Sequence, residues 1–245
     1  MIGNLIREVG ATFLLLGRSL ARRGPRGGLT QQVNDLLVRT VPLSLASMGF
    51  VGAVVMVDGG RQVQRIFGDP SGLGPSILQL VVREFGPAFG GVIAATRIGS
   101  GIAAELAAMK VSEQIDALEL SAADPIAELV SPRTRATVLA LLALGFVSTV
   151  AAALTGAWTA HLAFGSRPGA FLDTSELGLG DLGVSAAKCL AFGLAIPAVA
   201  SRAGLTATGG APAVGRATTR GVVGSIVAVV VLDFVIGGAA LAAGI

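Results

Sequence analysis

Five apolar segments follow one another along the chain, separated by stretches rich in charged or turn-forming residues. A helix needs about 20 apolar residues to cross a bilayer. The pattern therefore predicts an all-α polytopic membrane protein. Its spans are expected at residues 40–66, 73–109, 136–160, 182–201 and 221–245. The second span is longer than a bilayer requires, so we expect it to tilt, to kink near Pro87 or to extend into the cytoplasm.

Residues 1–23 form an amphipathic segment whose apolar run is too short to span. Its apolar side chains recur at spacings of three and four residues, with arginines available to lipid headgroups, which predicts a helix. The apolar positions are Ile2, Leu5, Ile6, Val9, Phe13, Leu16 and Leu20, and the arginines are Arg7, Arg18, Arg22 and Arg23. A helix lying in the membrane interface and a helix packed on its own protein fit this pattern about equally. A short linker, residues 24–32, follows.

Composition agrees with a membrane protein, because 53% of the residues are hydrophobic and only 13% are charged. The formal net charge is only +3 and the basic residues gather at helix ends, so nucleic-acid binding is not indicated. With the N-terminus in the cytoplasm, twelve lysines and arginines lie inside and three outside, which predicts a C-terminus outside. A single cysteine, Cys189, and a single histidine, His161, leave no intrachain disulfide and no zinc cluster.

The second span carries two stripes of residues at a spacing of four. The first is a ladder of small residues, on which another helix can approach closely. Its members are Gly91, Ala95, Gly99, Ala103 and Ala107. The second stripe is Arg97, Gly101 and Glu105, whose charges are too far apart for a direct pair but suit partners on neighbouring helices. A charge at bilayer depth costs roughly 3 kcal/mol, so Arg97 and Glu105, with Arg83 and Glu84, are expected to face protein, water or one another. A structural role and a functional role fit them equally.

An acidic amphipathic stretch follows the second span. Between residues 111 and 120 the apolar side chains share one face and acidic residues recur beside it, which predicts a short helix. Asp124 followed by Pro125 is typical of a helix start, so we expect a second short helix that begins there and stops before Pro132. Residues 110–131 are thus a predicted cytoplasmic coupling region, which a partner protein can bind. A solvated charged face is the ordinary alternative.

Several distinctive strings occur in order along the chain. They are RE-x-GP from Arg83, R-x-GS-x-x-AAE from Arg97, MKVSEQIDALE from Met109, DP at Asp124, SPR from Ser131, RATTRGVV from Arg216 and LDFV from Leu232. In this order they resemble the MlaE (YrbE) permease family, whose members are membrane subunits of the Mla and Mce lipid-transport ABC systems.

The resemblance implies a homodimer of five-span subunits in the bacterial inner membrane, each with an N-terminal interfacial helix. Such permeases move phospholipid or related lipids to or from a periplasmic MCE-domain partner, as in the maintenance of outer-membrane lipid asymmetry. A cytoplasmic ABC ATPase would dock on the helix between the second and third spans, which would contain Glu113, Gln114, Asp116 and Leu118. A STAS-domain protein would be a further partner. The outer loop, residues 161–181, matches no family pattern, so its partner contacts stay open.

The chain carries no ATP-binding motif of its own. A P-loop requires G-x-x-x-x-G-K-[ST], and neither Lys110 nor Lys188 follows a glycine. We therefore expect no catalytic, cofactor or metal site here, and ATP bound by the partner ATPase. Residues 99–104 match a G-x-G-x-x-A dinucleotide-binding pattern, but no strand precedes them. Their glycines are therefore predicted to serve helix packing. A lipid-modifying enzyme would have to recruit Ser100, His161 and Glu105, but the spacing does not make His161 a base for Ser100.

A second class of function stays open. An ion-coupled secondary transporter or channel would use the intramembrane charges Arg97, Glu105, Lys188 and Asp233. The sequence shows no internal repeat of the kind common in that class.

A lipid path is expected along the first span. Phe50, Val54 and Val57 recur there at helical spacing and can line an apolar cavity at a dimer axis, with Arg97 balancing a phosphate charge. Ordinary core packing explains the same apolar pattern, and a structural ion pair explains the arginine. The sequence does not identify the lipid or the direction of transport.

Overall fold

The computed structural model describes residues 2–22, 28–67 and 74–244, except for the side chains of residues 2–6, 8 and 9. The described part is helical and has no strand. Five helices are long and apolar enough to cross a membrane, and a shorter helix precedes them. The predicted all-α polytopic fold is therefore confirmed.

The described helices are α1 (Ile2–Ala21), α2 (Leu29–Phe67), α3 (Gly74–Val111), α4 (Gln114–Leu120), α5 (Ile126–Phe164), α6 (Pro168–Phe171), α7 (Leu179–Leu205) and α8 (Ala211–Ala242). The spanning helices are α2, α3, α5, α7 and α8. α2 begins at Leu29, so the last four residues of the predicted linker are helical, and α8 ends at Ala242 before the predicted limit of 245. Residues 1, 23–27, 73 and 245 of the predicted segments lie outside the described residues.

Pro132 stands inside α5, so the predicted separate helix that stops before it is wrong. The helix starts where expected, because the Asp124 carboxylate accepts a hydrogen bond from the Ile126 N–H at 3.1 Å. It then continues to Phe164. Proline lacks an N–H and clashes with the carbonyl four residues earlier. The residues Ile126–Val130 form a π-type turn, whose bonds join residues five apart, and this wider turn accommodates the proline.

The same device occurs at Pro87 in α3. A π-type turn, Val81–Phe85, ends two residues before this proline, as the turn in α5 does before Pro132. The predicted irregularity near Pro87 is thus a local widening of the helix, which is a known cause of kinks.

Two glycines separate α7 from α8. Gly209 and Gly210 have φ angles of 98° and 68°. Glycine adopts this left-handed conformation without the steric cost of a Cβ, so the chain can turn sharply between two long helices.

The folded chain forms two compact units. The first contains Met1–Thr40, Gly91–Leu141 and Leu190–Leu232. The second contains Val41–Gly90, Leu142–Cys189 and Asp233–Ile245. The fully buried large side chains of the first unit include Leu106, Val130, Leu141, Phe192, Ile196 and Val229, and those of the second include Met48, Val81, Leu144 and Lys188. The expectation of a single permease domain stays a prediction.

Arg22, at the end of α1, is held by three side chains of the first unit. Its guanidinium forms an ion pair with Asp124. Its carbonyl accepts hydrogen bonds from Ser131 Oγ at 3.0 Å and from Arg135 Nη2 at 3.1 Å. The C-terminal end of α1 is therefore bound to the segment that leads into α5 and to the first turns of that helix.

The described apolar side chains of α1 are mostly uncovered. Phe13 is 67% exposed and Leu20 is 50% exposed. This exposure favours the interfacial interpretation of α1 over a helix packed on its own protein. The side chains of Ile2, Leu5, Ile6 and Val9 lie outside the described part.

Candidate functional site

The small-residue ladder of α3 packs against α7 and α8 in the first unit. Its five members, Gly91, Ala95, Gly99, Ala103 and Ala107, are all buried. A Cβ added to Gly91 would lie 2.7 Å from Phe192 Cδ2, and one added to Gly99 would lie 3.2 Å from Ser225 Oγ. The helices approach so closely here that a side chain has no room.

A third π-type turn, Ala95–Gly99, explains how a ladder with a spacing of four stays on one face. Gly91 and Ala107 are sixteen positions apart. In a regular helix of 3.6 residues per turn, Ala107 would therefore point about 160° away from Gly91 around the helix axis. A π turn inserts one extra residue, which turns the register back by about 100°. The remaining drift of about 60° leaves the whole ladder facing its neighbours.

The second stripe of α3 lines a cavity of about 900 Å³ in the first unit. Arg97, Gly101 and Glu105 are exposed and face this cavity, which the first part of α2 and the beginning of α5 also enclose. Glu105 Oε1 lies 2.8 Å from Arg133 Nη2, so its partner is on another helix. Arg97 donates a hydrogen bond to the Arg39 carbonyl at 3.3 Å.

The cavity contains more charge than the stripe of Arg97 and Glu105 predicts. Its lining includes three guanidinium groups and three carboxylates, from Arg39, Arg97, Arg133, Asp35, Glu105 and Glu128. From the sequence alone, Arg39 and Arg133 belong to the basic residues at helix ends that indicate topology. Asp35 and Arg39 are four residues apart on α2, and this spacing predicts that both lie on one face of the helix.

A buried ionic cluster occupies the second unit. Lys188 is fully buried, and its ammonium forms ion pairs with Glu84 and, at 2.9 Å, with Asp233 Oδ1. Gly237 leaves room beside the ammonium, since a Cβ there would lie 3.6 Å from Lys188 Nζ. Lys188 and Asp233 can be recognised in the sequence as isolated intramembrane charges, but the sequence does not predict that Glu84 pairs with Lys188.

A second set of charges adjoins this cluster through Arg83. Arg83 Nη1 lies 3.1 Å from Asp181 Oδ1, and Arg83 Nε lies 3.8 Å from Glu84 Oε1. Gln79 also donates to Asp181, at 3.1 Å. Asp181, expected in the outer loop, is buried in the first turn of α7. All of these charges face protein groups, as the cost of intramembrane charge requires.

The short helix α4 presents an acidic surface directly after α3. Glu113, Gln114 and Asp116 are exposed, and Leu118 is half-buried. Lys110 Nζ lies 2.5 Å from Asp116 Oδ1, which ties α4 to the end of α3. Glu113 has a φ of 61°, so the chain turns sharply at this residue before α4 begins. The residues expected to contact an ATPase are thus presented together on one short helix and at its N-cap.

The expected lipid-path residues are divided between the two units. Phe50 is 74% exposed and Val54 is 57% exposed, while Val57 is half-buried, and all three belong to the second unit. Arg97 belongs to the first unit. The apolar residues of α2 therefore form outward-facing surface, which suits a lipid or a second protomer.

Ser100 and His161 each bond locally. Ser100 Oγ donates to the Thr96 carbonyl at 2.5 Å, and His161 Nδ1 lies 3.1 Å from the Ser166 carbonyl. These contacts give the lipid-modifying alternative no geometric support.

Comparison with known proteins gives a family and several relatives. The family described as permease MlaE matches residues 29–238. A probable ABC transporter permease protein of Synechocystis is 33% identical over 230 residues, which cover 91% of this chain and 87% of that protein. The chloroplastic protein TRIGALACTOSYLDIACYLGLYCEROL 1 of Arabidopsis thaliana is 34% identical over 208 residues, 84% of this chain and 59% of that protein. A probable ABC transporter permease protein of Rickettsia typhi is 31% identical over 199 residues, 80% of this chain and 76% of that protein.

Proposed function

The chain belongs to the MlaE permease family and is a multi-pass membrane permease subunit, and we propose that its substrate is phospholipid or a related lipid. A separate ATPase would drive the movement, because the relatives are named as permeases of ABC transporters. The name of the Arabidopsis relative contains that of a galactolipid, which supports a lipid as the substrate class.

The proposed setting is the bacterial inner membrane, with the N-terminus in the cytoplasm and the C-terminus in the periplasm. There the permease forms a homodimer, exchanges lipid with a periplasmic MCE-domain protein and works with an ATPase and a STAS-domain protein. ATP binds to the ATPase, and this chain needs no cofactor. The outward-facing Phe50 and Val54 support a lipid path along α2, because they offer apolar surface to acyl chains or to a second protomer.

The observation that carries the ABC assignment, beside the family match, is the exposed acidic surface of α4. A transporter without its own motor needs a rigid element that passes force between the ATPase and the spans. α4 has that position, since it follows α3 directly and the Lys110–Asp116 ion pair fixes it there.

Charge reversal on α4 tests this assignment. In Glu113→Lys/Asp116→Lys, we expect stimulation of the ATPase and lipid transport to fall by about tenfold, because complementary charge at an interface becomes repulsive. The folded permease should still be recovered from the membrane. Asp173→Lys, an exposed reversal in the segment between α6 and α7, is the control for ATPase stimulation, which should stay at the wild-type level in this variant. Wild-type coupling in the double variant would remove α4 from the contact.

One observation favours the alternative of an ion-coupled transporter. Lys188 is fully buried between two carboxylates, an arrangement that proton- or ion-coupled proteins use when a charge changes partner. Such a protein would move its substrate along an ion gradient without ATP. Transport that requires ATP and the partner ATPase would exclude this alternative.

A further inference from the structure

The cavity of the first unit holds charged groups that form no ion pair within the described part of the chain. Glu105 and Arg133 form an ion pair, but Arg39, Arg97, Asp35 and Glu128 form no ion pair with any described residue. The described partner of Arg97 is a backbone carbonyl, which occupies one of its five N–H donors. All four side chains are exposed and line the cavity, so a bound molecule can reach them.

The signs of these charges limit the ligand. Three guanidinium groups and three carboxylates line the cavity, so its formal charge is zero. Arginine binds phosphate oxygens through paired N–H groups, and a carboxylate binds an ammonium group. A ligand of strongly negative charge would meet Asp35 and Glu128, whereas a neutral zwitterion with a phosphate and an amine can compensate both kinds of group.

The remaining walls are apolar. Leu36, Ile98, Ile102 and Leu129 line the same cavity as the charges. Its volume of about 900 Å³ lies within the range of ligand-binding cavities. A cavity with both kinds of wall suits an amphiphile better than a free ion.

From these observations we infer that the cavity binds the zwitterionic headgroup of a phospholipid, of the phosphoethanolamine type. Arg39 and Arg97 hold the phosphate, Asp35 and Glu128 hold the amine, and the apolar walls cover the beginning of the acyl chains. This assignment rests on the proposed lipid substrate and adds to it a preference for one class of headgroup and a place where that headgroup binds.

The test measures lipid retained by the full-length chain in nanodiscs of equal phosphatidylethanolamine and phosphatidylglycerol, by native mass spectrometry. We expect phosphatidylethanolamine to be retained about tenfold over phosphatidylglycerol, since a hydrogen-bonded charged contact is worth about that factor. Asp35→Asn/Glu128→Gln should abolish the preference, and Arg97→Gln should lower retention of both lipids about tenfold. Arg65→Gln, an exposed arginine on α2 outside the cavity lining, is the matched control and should change nothing.

A second variant tests the site without changing charge. A Cβ at Gly101 meets no atom within 4 Å, so Gly101→Leu fits and occupies part of the cavity. We expect it to lower phosphatidylethanolamine retention about tenfold, because the ligand and the leucine compete for space. Equal retention of both lipids by the wild type, an unchanged ratio in the Asp35/Glu128 variant, or unchanged phosphatidylethanolamine retention in Gly101→Leu would each overturn the inference.

Soluble competitors separate the sources of the headgroup. Glycerophosphoethanolamine and inorganic phosphate should displace the lipid weakly, since neither has acyl chains for the apolar walls. Full displacement by either at concentrations equal to the lipid would overturn the lipid assignment. A chain that couples to its ATPase but shows no headgroup preference would refute this inference alone, and a chain that retains phosphatidylethanolamine but moves no lipid would refute the proposed function alone.

Discussion

Among the described residues of the second unit, Lys188 is the one fully buried cation, and replacing it by methionine leaves its two carboxylate partners facing each other. Breaking a buried ion pair by removing one partner costs about 3–5 kcal/mol. Glu84 and Asp233 are 31% and 25% exposed, so their charges are partly relieved and the lower figure of about 3 kcal/mol applies. A change of 1 kcal/mol shifts the Tm of a chain of this size by about 2–4 °C, so we expect Tm to fall by about 6–12 °C.

Thermal unfolding of the detergent-purified permease measures this shift. The control is the triple variant Lys188→Met/Glu84→Gln/Asp233→Asn, which removes all three charges and should recover most of the lost Tm, because no uncompensated charge remains. A single variant as stable as wild type would show that the cluster does not stabilise the fold. A triple variant no more stable than the single one would show that the loss comes from packing and not from unpaired carboxylates.

Two further changes test how the first unit is held together. Gly99→Leu should lower the yield of folded protein in size-exclusion chromatography, since its Cβ would already lie 3.2 Å from Ser225 and overpacking costs about 1–3 kcal/mol, whereas Gly101→Leu has open space and should elute as wild type. Identical elution of the two variants would mean that the ladder is not a packing surface. Arg22→Glu should lower Tm by about 2–4 °C through loss of a partly exposed ion pair worth about 1 kcal/mol, whereas Arg22→Lys keeps a positive charge beside Asp124 and should stay close to the wild-type Tm. An unchanged Tm in Arg22→Glu would indicate that the carbonyl contacts of residue 22, and not its charge, hold α1.

The spans could be predicted from sequence because hydrophobicity over about 20 residues is a local property. The segment at 136–160 contains no charged residue and lies wholly within α5. The limits of the helices were less predictable, since polar residues continue a helix without any apolar signal. α2 begins at Leu29, well before the apolar segment that starts at residue 40.

The error at Pro132 has a different cause. Proline is a sound signal for a helix end when the hydrogen bonds join residues four apart. In the π-type turn Ile126–Val130 the hydrogen bonds join residues five apart, and the residue types in this turn do not predict it.

The site was predictable residue by residue, but not as an arrangement. Charges within apolar segments can be recognised in the sequence, so Arg97, Glu105, Lys188 and Asp233 were all candidates. Their partners are far away in the chain: Glu105 pairs with Arg133, and Lys188 pairs with a glutamate 104 positions earlier. Such pairings depend on which helices are neighbours, and hydrophobic periodicity alone does not determine that.

The measurement closest to the central claim is lipid transfer in a reconstituted system. The permease is placed in vesicles with its ATPase, and fluorescent phospholipid is followed as it passes to or from an MCE-domain protein. The account predicts transfer that requires ATP, the ATPase and the permease together, and that falls in the Glu113→Lys/Asp116→Lys variant. Substrate movement that follows a proton or sodium gradient without the ATPase would contradict it.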